Sequence, residues 1–219
     1  MSGPSTTPKP AIVPLGDSCI LVRFDTSLTE AANRAAIALA ASLEEDPISG
    51  VVEVVPNLVS VLLRYEPPAQ SFAPIAGELR LRLAAPVTTM PARKNWTIPI
   101  LFDGPDLAEV AASLNLSPHD FLYLHNARPL RVLGTGFAPG FVYCGLHPEQ
   151  LVLPRRTTVR PLVPAGSVLF AAGQTAIAAT DMPTGWHVIG RTDFVNFDTQ
   201  ADPPTRLAAG DTVTFEVAE

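Results

Sequence analysis

The chain has 219 residues, of which 47% are hydrophobic and 16% are charged, a composition typical of a globular protein with one large or two small domains. Its formal net charge of -6 argues against a nucleic-acid-binding protein, because phosphate binding usually needs a basic surface. No stretch reaches the ~18 consecutive apolar residues of a membrane helix. Residues 1–10 lack the apolar segment of a secretion signal, so we expect a cytoplasmic protein without a membrane partner.

Cysteine and lysine are both scarce. Cys19 and Cys144 stand without a CxxC or Cys/His spacing, so we expect reduced thiols and no protein metal site. The two lysines, Lys9 and Lys94, lie outside any GxxxxGK[ST] sequence, which excludes a P-loop for nucleotide. Any ATP-dependent chemistry would then rely on arginines, on backbone amides or on a partner.

The first part of the chain predicts a small α/β unit over residues 11–90, after a disordered lead-in over residues 1–10. Its predicted elements are a strand, a helix, two strands joined by a turn, and a second helix, over residues 18–24, 27–45, 51–55, 58–65 and 71–84. Thr29 is placed to cap the first helix. This βαββα order favours a sheet with both helices on one face, serving packing or assembly.

Residues 86–94 have the composition of a linker, and a second domain is predicted over residues 91–219. It opens with a strand and two short helices over residues 96–101, 105–114 and 117–126. Ser117 and Pro118 have the residue types of a helix start. Short β runs broken by Gly and Pro follow, which suggests a barrel or a sandwich, over residues 168–171, 176–180, 187–189, 194–197 and 212–217.

Glycine and arginine concentrate between Gly134 and Arg191. This stretch holds eight of the fourteen glycines, and four arginines against two acidic residues. Glycine permits close backbone approach, and arginine offers a fork for carboxylate or phosphate. The pattern fits an anion-binding surface as well as it fits the turns of a loop-rich β-barrel.

The order of the motifs shifts the balance towards a functional surface. The series runs Gly136-Phe137-Ala138-Pro139-Gly140-Phe141, Pro154-Arg155-Arg156, Val163-Pro164-Ala165-Gly166-Ser167, Gln174-Thr175, Gly185-Trp186 and Ile189-Gly190-Arg191-Thr192. It resembles the family of the 5-oxoprolinase B subunit, also named allophanate hydrolase subunit 1, which includes the sporulation-kinase inhibitor. Gly104-Pro105-Asp106-Leu107 and Leu124-His125 extend the resemblance, which covers about residues 11–217.

The resemblance implies an α+β fold, in which a small N-terminal α/β sandwich precedes a cyclophilin-like β-barrel. It implies a non-autonomous subunit that works with a larger C and a further A component to open 5-oxo-L-proline to L-glutamate with ATP. ATP, with its accompanying Mg²⁺, would be shared with the partner. The alternatives are a component of urea or allophanate metabolism, with carboxyl transfer or amide hydrolysis, and an inhibitor of a histidine kinase.

Ten residues are candidates for the site. Four of them are catalytic candidates. Arg156 and Arg191 would bind anionic groups, Gln174 would form a hydrogen bond to an amide, and His125 would transfer a proton. The substrate-binding candidates form a pocket wall and its apolar surface: Gly136, Phe137, Pro139, Gly140, Phe141 and Trp186. No residue is assigned to a metal.

Several candidates have structural alternatives. His125 closes a helix, where histidine can complement the helix dipole. Trp186 is equally consistent with a core side chain, and Arg155 and Arg156 with structural ion pairs. We expect Cys144 to be a buried filler, and His119 and His147 to lie in exposed polar turns.

The chain also departs from the family pattern. Ala176-Ile177-Ala178-Ala179 replaces Gly-Ile-Tyr-Pro, and Pro183-Thr184-Gly185 replaces Pro-Gly-Gly. Asp193 stands where proline is common. These changes lie beside the predicted pocket, so they bear on which amide is the substrate.

Overall fold

The computed structural model describes residues 10–67, 70–84 and 93–218. The predicted lead-in and most of the predicted linker lie outside these residues. Contacts between Cα atoms divide the chain into two compact units, Met1–Ala92 and Arg93–Glu219. Among the described residues, no helix is long and apolar enough to cross a membrane.

The first unit is a four-stranded antiparallel sheet with two helices. Its elements are β1 (Ala11–Leu15), β2 (Cys19–Arg23), α1 (Glu30–Glu45), β3 (Val51–Pro56), β4 (Ser60–Tyr65) and α2 (Phe72–Ala84). The strand order is β1-β2-β4-β3. The predicted order lacked β1, which pairs with β2 as an edge strand, where the proline within it is tolerated.

One apolar core holds this unit together. Alternate residues of β2 and β4, among them Ile20 and Leu63, face the same side and are fully buried. Leu39 of α1 and Leu79 of α2 pack into the same cluster, so both helices cover one face, as predicted. The side chain of Thr29 caps α1 by accepting a hydrogen bond from the amide of Ala32 at 3.2 Å.

The second unit is built on a seven-stranded sheet with two short helices. Its helices are α3 (Leu107–Ser113) and α4 (Pro118–His125), and its first strands are β5 (Asn95–Ile100), β6 (Leu130–Thr135) and β7 (Val142–Gly145). The remaining strands are β8 (Arg160–Val163), β9 (Ser167–Ala171), β10 (Gln174–Ile177), β11 (Met182–Thr184), β12 (His187–Arg191) and β13 (Thr212–Val217). A 3-10 turn spans Glu149–Leu151, and β8 and β11 form a separate ribbon.

The large sheet curls until its edges meet. Its order is β12-β9-β10-β7-β6-β13-β5. Leu101, which follows β5, exchanges two backbone hydrogen bonds with Arg191 of β12, at 2.9 and 3.0 Å. Because of this closure, backbone groups at the two edges of the sheet are paired with each other instead of being left open. The prediction of an α+β chain with a barrel-like second part is therefore confirmed.

Two predictions for this unit differ from the structure. Residues 194–197 are an irregular segment, in which the Phe194 amide donates to the Thr192 hydroxyl and the Asn196 carbonyl accepts from the Arg206 amide. Strands β6, β7, β8 and β11 were not predicted, since each is short and bounded or interrupted by glycine or proline. The predicted helix start is correct, and the hydroxyl of Ser117 accepts from the amide of Asp120 at 3.1 Å.

Candidate functional site

The strands of the barrel carry two different faces. Alternate residues point inward to a core that includes Cys144, Phe170 and Ile177, and is closed by Phe121 of α4. The residues between them point outward to a second cluster that includes Leu169 and the other outward-facing residues of β7, β9, β10 and β12. Neighbours in sequence on these strands therefore lie on opposite faces of the sheet.

His125 lies on the inner face. It ends α4, is fully buried and packs against the rings of Phe121, Phe170 and Phe215. Its Nε2 atom lies 2.7 Å from the hydroxyl of Thr175. Proton transfer by His125 stays a prediction, and the imidazole that would carry it out is enclosed in the barrel core.

A second histidine shares the same hydroxyl. Nε2 of His147 lies 2.8 Å from Thr175 Oγ1, and the centres of the two imidazole rings are 4.7 Å apart. The prediction that His147 lies in an exposed turn was wrong, because its side chain is buried among aromatic rings. His119, in contrast, is exposed in the first turn of α4.

Burial keeps both imidazoles neutral at physiological pH. It lowers the pKa of His125 to about 4 and that of His147 to about 2, the latter with help from the charges of His125 and Arg128. Nδ1 of His125 lies 2.6 Å from Asn126 Oδ1, so this nitrogen donates and Nε2 accepts from the Thr175 hydroxyl. The same hydroxyl then accepts from His147 Nε2. The result is a buried chain of hydrogen bonds.

Cys144 lies on the inner face as well. Its thiol is fully buried, and burial raises its pKa to about 12. It therefore remains a protonated core side chain, which confirms the expectation of a buried filler.

Arg156 belongs to a buried ion-pair cluster centred on Asp106. The carboxylate of Asp106 accepts from Arg156 at 2.9 Å, from Arg160 at 2.8 and 2.9 Å, and from the backbone amide of Val188 at 2.8 Å. Asp106 is buried, whereas the arginine side chains are about a quarter to a third exposed. This cluster fastens the segment before α3 to the segment around β8 to β12.

Arg191 also has an acidic partner. Its Nε donates to Asp103 at 2.9 Å, in a pair that is largely exposed. Both arginines predicted for anionic groups are therefore held by aspartates of the segment between β5 and α3.

The outer face of the barrel carries an aromatic cluster. Phe141, Tyr143 and Trp186 contact one another, with ring centres 4.8 to 6.5 Å apart. Phe137 adds a fourth ring, 5.8 Å from Phe141, and is 79% exposed. The guanidinium carbon of Arg155 lies 5.5 Å from the centre of the Trp186 ring. We call these five residues the outer aromatic site.

The turn before β7 displays Phe137. Gly136, Phe137 and Gly140 all have positive φ, and at Phe137 (φ 76°) this conformation is unfavourable for a side chain with a Cβ. Gly140 is required, since a Cβ there would lie 2.4 Å from the Cβ of Phe197. The turn is also fixed by the hydrogen bond from Asn196 to Gly140 O. Phe137 is therefore held outward by a rigid turn, in which Pro139 is also exposed.

Gln174 lies on the same outer face. It stands opposite Gly145, two positions along β10 from Ala176, which stands opposite Tyr143. Its side chain packs over Gly145, where a Cβ would come within 3.3 Å of Gln174 Cγ. Gln174 is buried, and its Oε1 has no hydrogen-bond partner among the described residues. This oxygen is enclosed by protein atoms, so a ligand reaches it only if the Gln174 side chain or its neighbours move.

The structure thus divides the predicted site into three places. Phe137, Phe141, Trp186 and Gln174 share the outer face, together with the glycines and proline of the turn. His125 lies behind them in the core, and Arg156 and Arg191 are paired with aspartates. Sequence reasoning assigned no role to Tyr143, Thr175 or Asp106. Each of the three stands inside or beside one of the family motifs, and that position could have marked it as a candidate.

No group of three His, Cys, Asp or Glu side chains is arranged to hold a metal ion in the part of the chain that the structure describes.

Comparison with known proteins gives one consistent family. The family described as "Carboxyltransferase domain, subdomain C and D" matches residues 10–207. The B subunit of 5-oxoprolinase from Bacillus subtilis is 35% identical over 215 residues, which covers 92% of this chain and 90% of that relative.

Solved structures agree with this family. The crystal structure of TTHA0988 superposes with a TM-score of 0.81 at 36% identity over 93% of this chain, and the chain spans 40% of that protein's length. The urea amidolyase of K. lactis shares the fold, with a TM-score of 0.74 at 16% identity over 97% of this chain and 15% of that protein. On the sequence matches, the chain belongs to the carboxyltransferase-domain family that contains the B subunits of 5-oxoprolinase.

Proposed function

We propose that this chain is the B subunit of an ATP-dependent 5-oxoprolinase, which opens 5-oxo-L-proline to L-glutamate. The observation that carries the proposal is the 35% identity to a B subunit of 5-oxoprolinase over nine-tenths of that relative's length. Its role is that of one component of a hydrolase complex, without activity of its own.

The chemistry requires activation of a stable amide. Resonance makes the ring carbonyl a poor electrophile, and transfer of a phosphoryl group from ATP to the amide oxygen removes that resonance. One water then adds to the ring carbon as the C–N bond breaks and the nitrogen takes a proton. A second water releases the phosphate from the resulting acyl phosphate. The products are glutamate, ADP and phosphate.

The outer face of the barrel suits the small ring. Phe137 offers exposed apolar surface, backed by the buried rings of Phe141 and Trp186. A shift of the Gln174 side chain would bring its buried carbonyl oxygen, which has no partner among the described residues, to the ring N–H. The packed cluster of side chains beneath this surface excludes water from the side that faces the sheet.

The phosphate-binding groups are proposed to come from a partner protein. In this chain the charges of Arg156 and Arg191 are already balanced by Asp106 and Asp103. Binding of ATP and Mg²⁺ by these arginines would require breaking those pairs. A shared site, in which the phosphate-binding groups belong to a larger C subunit, avoids that cost.

Two further observations support a complex of this kind inside the cell. This chain spans only 40% of TTHA0988, so in that relative a longer polypeptide accompanies the matched part. We propose the C subunit of the enzyme as the direct partner and the A subunit of the enzyme as a further component.

A cytoplasmic location completes the proposal, since both cysteines are free thiols and ATP is the co-substrate.

The proposal is tested by producing the chain together with the C and A subunits. The assembled complex should hydrolyse ATP only when 5-oxoproline is present, with one glutamate formed per ATP. Each component on its own should be inactive. A complex of all three without this activity overturns the proposal. Parallel reactions with urea and with allophanate then determine whether it acts on those amides instead.

A further inference from the structure

Among the residues that the structure describes, one arginine of the glycine-rich stretch lacks an acidic partner. Three of its four arginines, Arg156, Arg160 and Arg191, lie within 3 Å of an aspartate. For Arg155, the described residues place no carboxylate within 4 Å, and its side chain is exposed. Its positive charge is therefore available to a ligand.

Aromatic contacts hold this free charge in place. The guanidinium lies over the face of the Trp186 indole, which is itself buried. Stacking of this kind occupies the flat face of the guanidinium and leaves its N–H groups free to donate in its plane. Arg155 is thus oriented before any ligand arrives, and less conformational entropy is lost on binding.

Tyr143 lies close to the same charge. Its ring is 6.0 Å from Trp186, and its side chain is half-buried. Burial raises the pKa of the Tyr143 phenol, and the nearby charge of Arg155 acts in the opposite direction. The phenol therefore stays protonated at neutral pH and is a hydrogen-bond donor near Arg155.

We propose that Arg155, stacked on Trp186 beside Tyr143, binds the carboxylate of a small ring-shaped acid whose ring packs against the outer aromatic site. A guanidinium fork and a phenol O–H are matched to the two oxygens of one carboxylate. This assignment rests on the proposed function and deepens it: the substrate is recognised as a carboxylated lactam, and Arg155 replaces Arg156 and Arg191 as the anion-binding arginine.

The main experiment measures 5-oxoproline-dependent ATP hydrolysis by the assembled complex containing Arg155→Gln. Loss of a charge-assisted hydrogen bond should raise KM for 5-oxoproline about 10- to 100-fold and change kcat by less than about threefold. Arg155→Lys keeps the charge without the fork and should raise KM by a smaller factor. An unchanged KM in Arg155→Gln contradicts the proposal.

The chain supplies a matched control arginine. Arg206 is also exposed and lies 5.3 Å from the centre of the Trp96 ring and 4.8 Å from that of Phe194. Arg206→Gln should therefore remove a similar stacking contact and leave KM unchanged. An equal rise of KM in both variants would show that the effect comes from lost packing, and would overturn the role of Arg155.

Direct binding separates this proposal from the proposed function. Calorimetric titration of the complex, without ATP, uses 5-oxo-L-proline and 2-pyrrolidinone, the same ring without the carboxylate. We expect binding of the acid at least about tenfold tighter than of the neutral ring, and loss of that preference in Arg155→Gln. If the complex is inactive but shows this preference, the proposed function fails and the carboxylate site stands. If neither compound binds, the site fails too.

Discussion

At the scale of single residues, Asp106 is the buried carboxylate that pairs with two arginines of the barrel. It is buried and accepts hydrogen bonds from Arg156, Arg160 and the amide of Val188. Asp106→Asn removes the carboxylate that the two guanidinium groups share and leaves Arg156 with the more exposed Glu109 at 3.8 Å, so the free energy of unfolding should fall by about 2–4 kcal/mol. Urea denaturation measures this loss.

The exposed pair of Asp103 and Arg191 provides the matched comparison. Both side chains are about half exposed, so Asp103→Asn should cost less than about 1 kcal/mol. If the two substitutions had equal effects, the Asp106 cluster would be an ordinary surface pair.

The buried histidines predict how stability depends on pH. The pKa of His125 is about 4 and that of His147 about 2, both below the ordinary value of 6.5. The folded state therefore binds fewer protons than the unfolded state below pH 6.5, and stability present above that pH is lost as the pH falls. Between about pH 7 and pH 5 we expect a loss of about 4 kcal/mol, measured by denaturant titration at each pH.

Three histidine variants test this origin. His147→Gln should flatten the pH dependence, since one titrating group is removed from the core. His119→Gln should leave it unchanged, because the side chain of His119 is exposed. A pH dependence that survives in His147→Gln and in His125→Gln would assign the loss to other groups.

At the scale of elements, closure of the barrel depends on close contact between β12 and the segment after β5. A Cβ on Gly190 would lie 2.5 Å from the carbonyl oxygen of Leu101, and one on Gly104 would lie 2.3 Å from the backbone of Ile189. Gly190→Ala should therefore push the two edges apart and cost about 1–3 kcal/mol, measured as a lower midpoint in thermal unfolding. Gly185→Ala is the control, since a Cβ at that position would meet nothing within 4 Å.

The sequence was sufficient for the long elements and insufficient for the short ones. Helix α1 has repeated apolar positions and a capping threonine, and its bounds were close to those predicted. Strands such as β7 and β11, with lengths of four and three residues, carry too few residues to show a period. Residues 194–197 have the composition of a strand, but their backbone bonds to the Thr192 hydroxyl and to the Arg206 amide.

At the scale of the whole molecule, the ordered motifs located the functional region but not its geometry. Sequence alone does not tell which neighbour on a strand faces outward, so Gln174 and Thr175 were not separated between the two faces. It also does not tell which arginine has an aspartate partner. Asp106 is fifty positions away from Arg156 along the chain. Only the fold shows that Arg155, alone of these four arginines, has no carboxylate beside it within the described part of the chain.

Each of the two units has its own core, and this predicts that residues 93–219 fold without the first unit. Strand β5 completes the sheet through its parallel pairing with β13, and Asp211 anchors the start of the unit by accepting from the Lys94 amide and the Trp96 indole. Residues 93–219 produced alone should therefore unfold in one cooperative transition. A fragment that begins at Phe102 lacks β5 and the fully buried Ile98 and Ile100, and should not fold. If residues 93–219 show no cooperative transition by circular dichroism, the cores depend on each other and the predicted boundary near residue 90 does not separate two domains.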